Sequence, residues 1–348
     1  MSGSWWAYLL VLLGTIALCA GLAVVVTKIT GRYVALHGGS NHKILTRGLR
    51  AGAIVLTFVV AVPVSSVMRP LAGGREGLTT VLMVAVALFI VGLVDESLQL
   101  LPSWHIGAEI TGATIVWAIG SGIMLQGQIP GVVALGLTIS WFVVVANAFQ
   151  LIDNTSGLAA GLATIACLSL FAIALTNEQV LLSVLSIALT GCTTGFLIHN
   201  LDSNQTHLGK GGTQLVSFIV AYLCLKLFRI DATFVVSALT PILICSVVLF
   251  NLLLVVAFHL LNRHRPTPKG YDGLHYRLIA VGLQPTVAVG VVYFGATLIG
   301  VLTFIANRVD PILGLILISV IGLVFLASGI YFLQVALSKN IESRTMIW

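Results

Sequence analysis

The chain has 348 residues, 58% of them hydrophobic and only 8% charged, with a formal net charge of +6. Its mean hydropathy is +1.09, and a soluble domain carries roughly 25% charged residues, so a water-soluble globule is excluded and a bilayer is the solvent that suits it. The excess of base is not a nucleic-acid signal, because the Lys and Arg residues fall in short loops between apolar runs, where they set topology.

Taken in order, eleven apolar segments approach the length of about 20 residues needed to cross a bilayer core. They are 5–27, 51–68, 78–94, 105–122, 131–149, 157–175, 180–199, 213–228, 233–261, 284–305 and 311–336. The first has no basic stretch ahead of it and is too long for the apolar core of a signal peptide, so it is expected to remain as a helix. None of the segments alternates as a strand would. The expected fold is all-α: a polytopic membrane helical bundle, a single domain over 1–348. Cys19, Cys167, Cys192, Cys224 and Cys245 lie inside apolar runs without metal-ligand spacing, which makes them packing residues.

Eleven crossings place the termini on opposite sides. Lys28, Arg32, Lys43, Arg47, Arg50, Lys210, Arg263, Arg265, Lys269, Arg277, Lys339 and Arg344 then share one side, and only Arg69, Arg75, Lys226, Arg229 and Arg308 the other. The richer side is expected to be cytoplasmic, with the N-terminus outside and the C-terminus inside.

Asp95, Glu96, Asp153, Asp202 and Asp272 fall on that cytoplasmic side, as do His37, His42, His199, His207, His264 and His275. Several stand at segment ends. Asp95 closes the third, Asn147 and Asp153 the fifth, His199 and Asn200 the seventh. Polar groups at helix ends on one face of a bundle can converge on one pocket, as an enzyme joining a cytosolic substrate to a membrane lipid requires. Ionisable residues in a membrane protein point to function; the plainer role for each is a helix cap or a solvated loop. Glu109, one turn into the fourth segment, is expected to neutralise a neighbour such as Lys43 or to snorkel to the interface. The "GKGGT" of 209–213 looks like the end of a phosphate-binding loop, but the upstream glycine and the strand are missing, so that match is chance.

Several ordered segments carry a stronger likeness. "VGLVDESLQL" (91–100) is similar to G-x-x-D-D-x-x-x-L, and "NAFQLIDNTSGLAAG" (147–161) to N-x-x-N-L-x-D-G-x-D-G-L-A-x-G. "GFLIHN" (195–200) is similar to G-F-L-x-x-N. "HLGKGGT" (207–213) stands in the place of F-M-G-D-x-G-S, and "GLHYRL" (273–278) in that of H-I-H-H-R-L. "HKILTRGLRAGAI" (42–54) echoes a basic first cytoplasmic loop. With these segments the chain resembles the polyprenyl-phosphate N-acetylhexosamine-1-phosphate transferases (glycosyl transferase family 4), which include the phospho-N-acetylmuramoyl-pentapeptide transferases.

The resemblance implies transfer of a sugar 1-phosphate from a UDP-sugar to an undecaprenyl-type phosphate at the cytoplasmic membrane face, with Mg²⁺ as cofactor, in cell-envelope glycan synthesis. It implies Asp95, Glu96 and Asp153 as catalytic residues, with Asp95 and Asp153 on the metal. Asn147, Asn200, Lys210, His275 and Arg277 would bind substrate, and a homodimer is a further expectation. Two polyanions meeting at a membrane surface need such cations and oxygen ligands. The departures fall in the chemistry. Glu96 replaces the second of two paired aspartates. Gln150 replaces an asparagine, Asn154 a glycine and Ser156 an aspartate. Lys210 stands where a metal-binding aspartate belongs, and Gly273 and Tyr276 take the places of two histidines. Asp202 and Asp272 are acids that could stand in. These changes open two alternatives: Lys210 grips phosphate in place of the metal, or the chain is a non-catalytic member that binds polyprenyl phosphate or nucleotide sugar, or scaffolds a true transferase. A transporter is the third possibility, without the paired discontinuous helices that would mark it.

Overall fold

The computed structural model describes residues 5–37, 40–68, 77–98, 102–123, 130–200, 207–227, 234–262 and 273–345, and leaves out the side chains of some helical positions, Lys43 and Asn200 among them. Asp202 and Asp272 lie outside the described residues. Among the described residues there are thirteen α-helices and no strand. The chain divides into two compact units, Met1–Ile230 and Asp231–Trp348.

The first unit holds α1 (Trp5–His37), α2 (Ser40–Met68), α3 (Leu78–Leu98), α4 (Pro102–Ala118), α5 (Gly131–Ile152), α6 (Leu158–Thr176), α7 (Val180–Asn200) and α8 (Gly209–Lys226). Its axis is α8, which packs against α2, α3, α5, α6 and α7 and is buried at every position from Gly211 to Cys224. That enclosure lets α8 carry Thr213, Gln214 and Ser217, because these polar groups face other helices instead of lipid. The glycines of "GKGGT" let it in. A Cβ on Gly211 would lie 2.8 Å from the Phe89 carbonyl oxygen of α3, and one on Gly212 would lie 2.5 Å from the Ala51 Cβ of α2. From the other side, a Cβ on Gly92 of α3 would lie 2.5 Å from the Gly211 Cα. So α3 and α8 meet backbone to backbone. Gly191 and Gly195 of α7 do the same against the Leu12 and Ile16 carbonyls of α1. All five cysteines are buried, and none is in a disulfide.

The second unit holds α9 (Phe234–Ile244), α10 (Ser246–Asn262), α11 (Leu274–Ala280), α12 (Pro285–Ala306) and α13 (Pro311–Thr345). The sequence reads 233–261 as one segment; here it is two limbs bent by 72°, with Pro241 in the first limb and the break at Cys245. The short α11 is anchored on α10 by the Leu274 amide, which donates to Asn251 Oδ1 at 2.7 Å.

Among the described residues seven helices are long and apolar enough to cross a membrane, namely α1, α3, α5, α6, α7, α12 and α13, and the bent pair would make an eighth. The other expected crossings are also helices. However, α4 has 17 residues, the apolar part of α2 is Leu49–Pro63, and α8 is encased by its neighbours. The chain is an all-helical, multi-pass membrane protein.

Candidate active site

The contact of α3 with α8 sets the first part of the site. Asp95 follows Gly92 by three residues and so shares its face of the helix, while Lys210 directly precedes Gly211. Close approach of the two glycines therefore brings the two charges together, and the Lys210 ammonium donates to Asp95 Oδ2 at 2.9 Å. Asp95 is buried, and its other oxygen, Oδ1, is enclosed without a hydrogen-bond partner. The Lys210 side chain is 48% exposed.

Asp153 reaches the same turn from the end of α5. Its Oδ1 and Oδ2 accept the amides of Leu208 and Gly209, both at 2.9 Å, and Oδ2 also faces the Thr213 hydroxyl at 3.3 Å. The imidazole Nδ1 of His207 lies against the Asp153 carbonyl oxygen. The carboxylate thus caps the N-terminus of α8 across the bundle, where free amides and the helix dipole favour negative charge. Burial nonetheless pushes the Asp153 carboxyl up to about 8, against those three donors, with the charge of Glu96 adding to the rise. Glu96 closes in on the same turn: Gly209 has φ +69°, and a Cβ there would lie 2.9 Å from Glu96 Oε2. After Asp153 the chain reverses into α6 through Gly157, at φ 75°, leaving Asn154 and Ser156 exposed.

Behind Asp95 lies a polar cluster, two of whose members, His105 and Gln214, sequence reasoning missed. His105 and Glu109 face each other one turn apart on α4, Nε2 to Oε1 at 3.0 Å, and both are buried. Asn147 of α5 donates to Glu109 Oε2 at 3.1 Å. Gln150 donates to Glu109 Oε1 at 3.3 Å and touches His105 Nε2. Gln214 of α8 lies with Nε2 2.9 Å from His105 Nδ1, which is 3.8 Å from Asp95 Oδ2. Glu109 is 3% exposed, so the snorkelling expected of it is corrected: three side chains on α4 and α5 hold it inside. The usable signal was two ionisable residues at i and i+4 in an apolar helix.

An apolar groove of about 770 Å³ runs between α3 and α4, lined by Leu88, Val91, Val94, Trp104, Gly107 and Thr111 among others. Its lining residues Val94 and Trp104 are the sequence neighbours of Asp95 and His105, which do not line it themselves.

The structure thus brings together Asp95, Glu96, Asn147, Asp153 and Lys210. His275 and Arg277 belong to α11 of the second unit, and both are buried. The Arg277 guanidinium sits 4.8 Å over the Phe258 ring and donates to the Phe332 carbonyl at 3.3 Å. Burial pushes His275 down to about 4.

The Mg²⁺ implied by the resemblance does not fit the described residues. Both Asp153 oxygens are taken by α8 amides, and one Asp95 oxygen by an ammonium. A divalent ion on the other Asp95 oxygen would share that carboxylate with the Lys210 ammonium, a like charge that opposes it. Among the described residues no three His, Cys, Asp or Glu side chains gather as a ligand set.

The sequence profile of glycosyl transferase family 4 matches residues 78–228, the stretch from α3 through α8 that builds this site. A probable undecaprenyl-phosphate N-acetylglucosaminyl 1-phosphate transferase of Bacillus subtilis is 27% identical over 226 residues, 62% of each chain. A decaprenyl-phosphate N-acetylglucosaminephosphotransferase of Mycobacterium tuberculosis is 26% identical over 284 residues, 70% of each chain. A phospho-N-acetylmuramoyl-pentapeptide-transferase of Shouchella clausii is 23% identical over 238 residues, 61% of this chain and 73% of its own. The chain spans less than two thirds of the Bacillus relative's length. The profile match and the likeness to these relatives make the stretch from α3 through α8 similar to glycosyl transferase family 4.

Proposed function

We propose that this protein transfers a sugar 1-phosphate from a UDP-sugar to a polyprenyl phosphate at the cytoplasmic membrane face, in cell-envelope glycan synthesis. An oxygen of the lipid phosphate attacks the phosphorus that bears the sugar, the phosphoanhydride bond breaks, and UMP leaves. The observation that carries the reading is the meeting of Asp95, Glu96, Asp153 and Lys210, from three separate family-like segments, at the first turn of α8. The groove between α3 and α4 suits the isoprenoid chain, because its lining is mostly apolar and it lies on α3, the helix that carries Asp95. In this reading Asp95, Glu96 and Asp153 order the reacting groups, and Lys210 and Asn147 contact the donor. Asn200, His275 and Arg277 are sequence-based proposals for the donor's phosphates and nucleotide. The reading also takes eleven crossings, with the N-terminus outside, a whole chain acting as one domain, and assembly as a homodimer.

A second reading, binding without turnover, is favoured by one observation. The Lys210–Asp95 ion pair occupies a carboxylate that metal-assisted transfer would use. The test is UMP release from UDP-sugars by purified protein with undecaprenyl phosphate. Release that needs the lipid supports transfer. Saturable nucleotide-sugar binding with no release supports the second reading.

A further inference from the structure

From the arrangement around Asp95 we infer that Lys210 is the fixed cation of this site, and that a diphosphate ligand is bound there without a divalent metal ion. The inference rests on the proposed function for its ligand class. Four observations carry it.

The ammonium is held from behind. Asp95 is buried, while the Lys210 side chain is about half exposed and reaches it at 2.9 Å, so one side of the cation is anchored and the other is open. The backbone under it is fixed as well. Gly209 takes a left-handed conformation against Glu96, and Gly211 is wedged against the Phe89 carbonyl, which leaves residue 210 little freedom relative to α3. Two amides at the start of α8 are not available to a phosphate, because Leu208 and Gly209 already donate to Asp153. Finally, carboxylate oxygens that might gather a metal ion already hold the chain's own donors: Asp95 Oδ2 the Lys210 ammonium, both Asp153 oxygens amides, and Glu109 the side chains of His105, Asn147 and Gln150. An anion arriving at this turn meets an ammonium, which binds phosphate as a point charge.

The experiment uses the full chain in nanodiscs, as native protein, Lys210→Met and Lys210→Asp. Mn²⁺ binding is followed by electron paramagnetic resonance, and binding of UDP and of inorganic pyrophosphate by calorimetry with and without EDTA. Native protein should show no saturable Mn²⁺ site, and its UDP affinity should change by less than about twofold in EDTA. Lys210→Met should weaken UDP and pyrophosphate by about tenfold or more, as loss of a charged phosphate contact does. Lys210→Asp adds a carboxylate beside Asp95 and Glu96, so it should gain a Mn²⁺ site and make UDP binding metal-dependent. If that variant does not fold, Lys210→Met and the native Mn²⁺ titration decide. A stoichiometric Mn²⁺ site in native protein, or a Lys210→Met variant that binds UDP like native, overturns the inference. UMP release that requires Mg²⁺ overturns it and leaves the transfer reading standing. Metal-free diphosphate binding with no UMP release under any condition upholds it and overturns the transfer reading. Native protein that binds neither UDP nor pyrophosphate overturns both.

Discussion

Replacing Gly92 by alanine tests whether the contact of α3 with α8 builds the site. Glycine inside a helix is ordinarily a liability, and alanine there stabilises by about 0.5–1 kcal/mol. At Gly92 the sign should reverse. The new Cβ would lie 2.5 Å from the Gly211 Cα, 2.7 Å from its amide nitrogen and 2.8 Å from Gln214 Oε1. Two of those three atoms are backbone and cannot rotate away. To reach ordinary van der Waals separation the two helices must part by roughly 1 Å, and such overpacking costs about 1–3 kcal/mol. The net expectation is a loss of about 1–2 kcal/mol. Gly107→Ala is the control, because nothing lies within 4 Å of its added Cβ, and it should gain the ordinary helix increment. Thermal unfolding in detergent can be followed with a thiol-reactive fluorophore, since all five cysteines are buried. Gly92→Ala should melt several degrees below native and Gly107→Ala at or above it. A Gly92→Ala protein as stable as Gly107→Ala would refute the backbone contact, and with it the reason that Asp95 meets Lys210.

Lys210→Met leaves the Asp95 carboxylate buried without its cation and should cost about 1–3 kcal/mol, less than for a fully enclosed pair because the ammonium is half exposed. Adding Asp95→Asn should recover most of that loss, a coupling that a double-mutant thermal series measures. Glu109→Ala removes the acceptor shared by His105, Asn147 and Gln150 and should cost about 2–4 kcal/mol, whereas Glu109→Gln keeps an acceptor and should cost about half as much, by the same melts. His275 titrates below its ordinary range when folded, at about 4 against 6.5, so the unfolded chain binds its proton first. Stability should be full above pH 6.5 and fall by up to about 1.4 kcal/mol per unit as pH drops towards 4. His275→Gln should flatten that fall in a pH series of unfolding curves.

The helices were legible because lipid-facing segments must be long and apolar, and each of the eleven expected segments overlaps helix among the described residues, 233–261 as two limbs. What hydropathy could not convey is which helices meet lipid. The axis α8 reads as one more crossing, yet it is wrapped by five others, and only its glycines hint at that. The bend at Cys245 was hidden inside a continuous apolar run, although Pro241 marks its first limb. At the site, Asp95 and Asp153 were visible as acids closing apolar segments. Their partners were not. The ion pair joins residues 115 apart, and the cap on Asp153 comes from backbone amides, which no side-chain pattern records. Gln214 and His105 look inert until α4, α5 and α8 are packed, because a buried polar group shows its role only through what satisfies it.

The most direct test of the proposed transfer is product formation. Purified native protein is incubated in detergent with undecaprenyl phosphate and a panel of UDP-sugars, and UMP is measured with Mg²⁺, with Mn²⁺ and with EDTA. The expected result is UMP release with at least one donor, dependent on the lipid phosphate and persisting in EDTA. No release in any condition, from folded protein beside an active relative, would contradict the transferase reading and leave a binding protein.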